Sequence, residues 1–395
     1  MISSNSHPQN KPLTRLLTSI LLAAAALSPN LAAAQTAAPT PATAAAAGKL
    51  RAFFIDVEGG QATLFITPAG QSLLIDTGWD GNNGRDADRI VSTAKKAGLS
   101  KLDFVLITHF HEDHVGGVAQ LLDRIPVGAF IDHGENREFD HGPTERLYAD
   151  YRKILATGKS KHILAKPGAR LPIQGVDATV ISADGALLQQ PLHHAGQPNP
   201  TCTRTDPAPA DQTENARSVG ILLHFGALTI VDLGDLTKDK ERDLVCPNNK
   251  LGPADIYIVS HHGWNQSSSP EFVDALHARV AIMDNGAKKG GSLSTLQTLR
   301  KAPGLETLWQ VHFSEEGGPA FNTGEQFIAN LPGPDAAYSL ELIADPNGSF
   351  DVLNSRNNLR QHYPASPAHA SSRPAEVVLL PAEAVLLKGT ASAVP

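Results

Sequence analysis

Thr108-His109-Phe110-His111-Glu112-Asp113-His114 follows the apolar run Phe104-Val105-Leu106-Ile107 and packs three imidazoles and two carboxylates into six residues. In extended backbone alternate side chains share a face, so His109 and His111 can converge on one ion. A helix beginning at Asp113 turns Asp113 and His114 back toward the same spot, and Gly116-Gly117 lets that helix start close by. The stretch therefore predicts a metal site with room for two ions at the end of a buried strand. A solvated strand end explains a lone histidine well, but it is a poor account of this spacing.

The rest of the composition narrows the class. Lys11 and Arg15 precede an apolar run over residues 16–27 and the small residues Ala32-Ala33-Ala34, the pattern of a secretory signal peptide cleaved after residue 34. That run is short for a membrane span, and no later stretch is long and apolar enough to be one, so the expected product is exported, periplasmic or secreted. Removing Lys11 and Arg15 shifts the formal net charge from −7 to −9, which repels polyanions at long range; nothing resembling a basic stripe for nucleic acid appears beyond short pairs such as Lys288-Lys289. Cys202 and Cys246 are the only cysteines, and in an oxidising compartment they are expected to pair.

Residues 35–49 are almost wholly Ala, Pro and Thr, a linker unable to bury a core. The folded domain is expected over residues 50–363, followed by an Ala, Ser and Pro-rich tail over 364–395 expected to be disordered. Within the domain, strand patterns fall at 52–57, 63–67, 72–76, 104–108, 129–132, 178–182, 219–225, 228–232 and 256–260. Amphipathic helix patterns fall at 86–97, 115–124, 144–157, 270–276 and 293–301. The class is mixed α/β. Residues 184–217, with five prolines, read as a long loop insertion. Residues 63–78 align without gaps on 219–234, matching Gly70 with Gly226, Asp76 with Asp232 and Gly78 with Gly234. Similar hairpins account for that alignment, and so do two related halves that meet at one cleft.

Two further segments carry chemistry. Asp232-Leu233-Gly234-Asp235 puts a carboxylate past one apolar strand, and Ser260-His261-His262-Gly263 puts paired imidazoles past another. Open α/β sheets gather their sites at such strand ends. His109, His111, Asp113, His114, Asp235 and His261 are the expected ligands of two divalent ions, with Asp235 as the bridge. Asp76 is expected to orient a ligand histidine. A water of lowered pKa on such ions is a nucleophile near neutral pH. Asp113 and His262 are the expected catalytic groups, His262 by contacting substrate.

In this order Asp76-Thr77-Gly78, His109-x-His111-x-Asp113-His114, Gly234-Asp235 and His261-His262-Gly263 resemble the motifs of the metallo-β-lactamase superfamily, across roughly residues 50–315. Ile55-Asp56-Val57, Asn215-x-x-Ser218-Val219 and Ser260-His261-His262-Gly263 are similar to the branch holding the carboxy-terminal hydrolase domain of the competence channel ComEC. The resemblance implies an αββα sandwich of two related halves and hydrolysis with zinc or manganese, commonly of phosphodiester or other ester bonds. A β-lactamase or lactonase activity, an iron-dependent redox protein and a non-catalytic binding module are the alternatives; the intact charged ligand set counts against the last. The chain departs from the pattern in three places. The channel's membrane segments are absent, Glu58-Gly59-Gly60-Gln61 replaces the usual Gly-Gln-Gly-Asp, and no histidine stands at the third motif. His133, His193, His194 and Asn215 are candidates for that vacancy. Asn285, Lys288 and Ser292 are candidates for substrate contact, with His312 a weaker one, and Trp79 and Trp264 for the walls of a pocket.

Overall fold

The computed structural model describes residues 48–139, 141–203 and 208–366. The expected signal peptide, nearly all of the linker and most of the tail lie outside the described residues. The chain first lays down β1 (Leu50–Phe54), β2 (Thr63–Ile66), β3 (Ser72–Ile75), β4 (Leu102–Leu106), β5 (Val127–Asp132) and β6 (Lys161–Leu164). A second sheet takes β7 (Asp177–Ala183), β8 (Ala186–Leu187), β10 (Gly220–Phe225), β11 (Leu228–Asp232), β13 (Ile256–Ile258), β14 (Val280–Met283), β15 (Thr307–His312) and β16 (Ile328–Asn330). A separate ribbon pairs β9 (Gln197–Pro198) with β12 (Asn248–Asn249). The chain then returns to the first sheet with β17 (Leu340–Ala344), β18 (Phe350–Asn354) and β19 (Leu359–Tyr363). The orders are β19-β18-β17-β1-β2-β3-β4-β5-β6 and β16-β15-β14-β13-β11-β10-β7-β8.

Side-chain alternation makes the layers. Ala52 and Phe54 of β1 and Ile221, Leu223 and Phe225 of β10 enter one core between the sheets, while Phe53 and Leu222 face outward into two further cores. The first outer core is closed by α1 (Arg85–Lys96), α2 (Glu112–Val115), α3 (Val118–Leu122) and α4 (Pro143–Ala156), the second by α5 (Lys238–Val245), α6 (Pro270–Leu276) and α7 (Leu293–Lys301). Ala87, Ile90, Val91 and Ala94 give α1 its buried stripe at helical spacing. Burying Ile90 fully is worth about 2 kcal/mol. The architecture is the expected αββα sandwich. Central strands such as β13 and β14 are buried along their whole length and so read as unbroken apolar runs.

Three local expectations are corrected. The helix expected over 115–124 breaks into α2 and α3, because the His114 carbonyl accepts the Thr77 N–H and the Gly117 N–H donates to Gly78. A Cβ on Gly117 would fall onto the Thr77 carbonyl oxygen, so glycine is required at that close approach. The aligned hairpins do share strand, turn, strand, but Ile66 pairs with Ser72 across five residues and Phe225 with Leu228 across two. Gly70 and Gly226 therefore do not hold equivalent turn positions. Finally, the 184–217 segment is not one structureless loop: it contributes β8, β9 and a turn at Glu214–Arg217, and Cys202 is bonded to Cys246 at the end of α5.

Candidate metal centre

Four strand ends deliver the polar residues to one place. After β4 the chain stays extended through His109 and His111, and Phe110 between them turns into the helical core. His109 Nε2 and His111 Nδ1 face each other at 3.0 Å. The short α2 then brings Asp113 and His114 round. Asp235 follows β11, and the His261-His262 pair follows β13.

Asp113, His114, Asp235 and His262 form one tight, buried donor group. His114 Nε2 lies 3.1 Å from Asp113 Oδ2, 3.2 Å from Asp235 Oδ2 and 3.2 Å from His262 Nε2. His262 Nε2 lies 3.1 Å from Asp113 Oδ2 and 3.4 Å from Asp235 Oδ1. A tetrahedral zinc ion with bonds of about 2.0–2.1 Å holds its donor atoms about 3.3 Å apart. The residues present therefore fit a divalent metal, and Asp235 Oδ1, buried without a hydrogen bond, is a donor awaiting one. His109 Nε2 stands 3.9 Å from Asp235 Oδ2, so the same carboxylate reaches toward the His109–His111 pair.

The surrounding groups orient these donors. Asp76 is fully buried after β3 and accepts from the Thr108 N–H at 2.8 Å, the Thr108 hydroxyl at 2.7 Å and His114 Nδ1 at 2.7 Å. With the His114 proton held on Nδ1, Nε2 keeps its lone pair for the centre. His111 Nε2 meets Glu138 at 3.1 Å, and Glu138 in turn accepts the Glu214 N–H. Burial opposes charge throughout. Even so, Lys289 and His114 hold Asp113 well below the usual carboxylate range, and His114, His261 and His262 do the same for Asp235. Burial followed by Asp235, Asp113 and Asp76 leaves His114 well above the ordinary histidine value. Burial and the neighbouring imidazoles hold His109 well below it, and burial brings His261 down to about 4. The counter-charges that Asp113 and Asp235 draw from these neighbours are of the kind a divalent cation supplies.

Several expected roles change. His262, not His261, completes the four-donor group; both residues adopt left-handed backbone, φ 56° and 54°, and it is the second histidine of the pair that is aimed at Asp113. Lys289, not Lys288, reaches the centre: it contacts Asp113 and lies 4.7 Å above the Trp79 ring, while Lys288 is exposed. Within a loop no periodicity tells such neighbours apart. His133 is committed to Glu214 at 3.0 Å, and Glu214 also accepts the N–H groups of Phe110 and Arg137. His193 and His194 face each other on the loop, and His194 lines a separate cavity of about 440 Å³ with α6 residues. Asn215 is buried and its Oδ1 has no hydrogen bond. Asn285 donates to the carbonyls of Gly286 and His312, so it stitches the ends of β14 and β15 together and has no free amide for substrate. Ser292 stands at the residue before α7 without a capping bond from its side chain, and its N–H donates to the Gly263 carbonyl. His312 pairs with Asp56 at 2.7 Å, beside Glu58 and Arg89. Trp264 is 39% exposed and stacks on His261, while Trp79 is half-buried.

Residues 56–203 match the family model described as the metallo-beta-lactamase superfamily. Over that stretch the chain is similar to the metallo-beta-lactamase superfamily. It is 24% identical over 250 residues to ComE operon protein 3 of Bacillus subtilis, covering 59% of this chain and 28% of that protein. It is 25% identical over 234 residues to Recombination protein 2 of Haemophilus influenzae, covering 59% and 24%. The chain thus spans about a quarter of the length of these curated relatives. Among solved structures, the metallo-beta-lactamase fold protein YhfI of Bacillus subtilis is similar at 12% identity and a TM-score of 0.41, covering 74% of this chain and 99% of that one. Among its described residues no helix is long and apolar enough to cross a membrane.

Proposed function

We propose that the protein is an exported hydrolase that uses two divalent ions, zinc or manganese, to cleave an anionic ester, a phosphodiester before a neutral carboxylic ester. The observation that carries this reading is the buried donor group of Asp113, His114, Asp235 and His262, with Lys289 at its mouth. Two bound ions supply a Lewis acid and a water of lowered pKa.

The chain's own groups do the rest. Asp235 offers Oδ1 toward His262 and Oδ2 toward both His114 and His109, so a single carboxylate reaches both donor sets. Asp76 keeps the His114 proton on Nδ1 and away from the reacting side. Asp113 stays ionised beside Lys289, the state in which it can hold an ion and accept a hydrogen bond from the attacking water. The Lys289 ammonium, steadied over Trp79, offers positive charge to a substrate oxygen, an interaction that strengthens as negative charge develops there. Trp79 and Trp264 supply flat apolar walls. Export is supported by the signal-peptide pattern of residues 1–34 and by the Cys202–Cys246 bond.

The test is turnover of bis(p-nitrophenyl) phosphate, a neutral p-nitrophenyl ester, a lactone and a cephalosporin by protein loaded with zinc or manganese. The phosphodiester is expected to turn over with chelator sensitivity, and Lys289→Met is expected to lower its kcat/KM by tenfold or more, with less effect on the neutral ester. Turnover confined to the cephalosporin or lactone overturns the proposed substrate class. Cell fractionation that leaves the mature chain in the cytoplasm overturns export.

A further inference from the structure

The cavity of about 440 Å³ that His194 lines lies at the other end of the second sheet from the metal centre. β11, β13, β14 and β15 run parallel, and the centre gathers past the carboxyl ends of β11 and β13. The cavity instead takes Pro253 from the turn before β13, His277 from the turn before β14 and Pro303 from the turn before β15. Its facing wall is the proline-rich stretch 195–201, pinned by the β9–β12 ribbon and the Cys202–Cys246 bond.

The amides of this cavity are committed to its own walls. Asn199 Nδ2 donates to the Glu271 carbonyl at 3.2 Å, and its Oδ1 accepts the Thr201 N–H and hydroxyl. Asn249 Nδ2 donates to the carbonyls of Gly252 and Ala275, and its Oδ1 accepts the N–H groups of Leu251 and Gly252. Ala195, Pro198, Pro200, Pro253, Ala275 and Pro303 make the remaining lining apolar, with the exposed His194 and His277 at its edge. Such walls favour aliphatic side chains, which lose water on every contact, over a polar metabolite.

The chain itself carries a fitting occupant. β19 ends at Tyr363, and the Pro364 carbonyl accepts from the Arg279 guanidinium at 2.7 Å. Arg279 stands two residues past His277, so the chain leaves β19 beside the edge of the cavity. Ala365 and Ser366, the last described residues, are half-buried and still lie against the protein. Further on, the sequence holds a tandem repeat: Pro374-Ala375-Glu376-Val377-Val378-Leu379-Leu380 is followed at once by Pro381-Ala382-Glu383-Ala384-Val385-Leu386-Leu387. The two copies differ only at Val377 and Ala384, and each joins one carboxylate to a run of aliphatic side chains. From Ser366 to Pro374 the chain can reach up to roughly 26–29 Å.

We propose that this cavity is the docking site of the chain's own carboxy-terminal repeat, the aliphatic residues of one copy against the proline walls and its glutamate toward His194 or His277. A short tether keeps the repeat at an effective concentration in the millimolar range, so a modest intrinsic affinity suffices. Docking ties the 195–201 stretch to the end of β19 and covers an apolar opening on the face away from the metal centre.

The experiment places the photo-crosslinker p-benzoylphenylalanine at Leu379 of the purified chain, and at Leu386 in a parallel sample, irradiates at low protein concentration and maps the adducts by mass spectrometry. Adducts within one chain to residues 194–201 or 274–277 are expected from at least one of the two. Ala195→Trp and Ala275→Trp fill the cavity from facing walls and are each expected to lower that yield by about tenfold, the equivalent of about 1.4 kcal/mol of affinity. Hydrogen exchange is the second readout: Leu379→Asp combined with Leu386→Asp is expected to speed exchange over residues 194–201 and to leave residues 109–114 as in the parent. No adducts, adducts confined to other surfaces, or yields untouched by both tryptophan variants overturn the proposal. So do adducts formed only between chains, which at these same residues would name a second copy as the occupant.

Discussion

Asp76→Asn isolates the contribution of one buried oxygen. In the native centre Asp76 Oδ1 accepts the Thr108 N–H, and Oδ2 accepts both the Thr108 hydroxyl and His114 Nδ1. If the amide oxygen keeps the Thr108 N–H, the new NH₂ occupies the Oδ2 position. The Thr108 hydroxyl rotates and accepts from it. The imidazole has no such freedom: an N–H facing Nδ1 favours the tautomer with its proton on Nε2, which removes the lone pair that points at Asp113 and Asp235. Loss of a partner behind a ligand histidine costs 10–100-fold in metal affinity, or about 1.4–2.7 kcal/mol. Chelator competition with Zn²⁺ reads this directly, and circular dichroism checks that the fold is retained. Affinity within twofold of the parent would refute the claim that Asp76 fixes the His114 tautomer.

Three further outcomes are expected. Glu214→Ala strands the N–H groups of Phe110 and Arg137 and the His133 ring, and should lower the unfolding free energy by about 3–5 kcal/mol; a loss under 1 kcal/mol in urea denaturation contradicts the buried-pair account. Replacing Cys202 and Cys246 by serine opens a 44-residue loop and should cost about 4 kcal/mol on the chain-entropy account, read as a melting shift absent when the parent is already reduced. His162, hydrogen-bonded to Asp132, has its pKa raised. Its contribution is therefore complete below the unfolded value near 6.5 and disappears as pH rises through the folded value. The ring is partly exposed, so His162→Ala should cost a few tenths to about 1 kcal/mol at pH 5.5 and less at pH 9; equal losses at both pH values reject the ion pair.

The metal-rich stretch was legible because its chemistry is local. His109, His111, Asp113 and His114 sit within six residues, and period-two backbone followed by one helical turn is enough to converge them. Asp235 was legible from its place just past a fully buried, mostly apolar strand. The order within the His261-His262 pair was not, because left-handed backbone at both residues is imposed by bonds to Gly234 and Gly291, which are distant in sequence. Lys289 and the Glu138–His111 contact escaped for a related reason: loops carry no period from which to read direction. In the fold, β1 to β5 and α1 stood out through alternation and helical spacing. By contrast, β14 is only four residues long and wholly apolar, and β17 and β18 are five residues each, with β17 placed by its pairing with β1 at the far end of the chain.

That pairing bears on how the molecule is made. Arg51 of β1 meets Glu341 of β17 across 290 residues, and β1 separates the β17–β19 meander from β2 in the finished sheet. At synthesis rates of about 5–20 residues per second, β1 waits roughly 15–60 s for its neighbour. Until then one flank of β1 presents unpaired N–H and C=O groups, a template for pairing with another chain. The first half of the sandwich is the earliest to emerge and among the last to be closed. A truncation just before residue 340 should therefore aggregate through β1 while retaining every residue assigned to the metal centre.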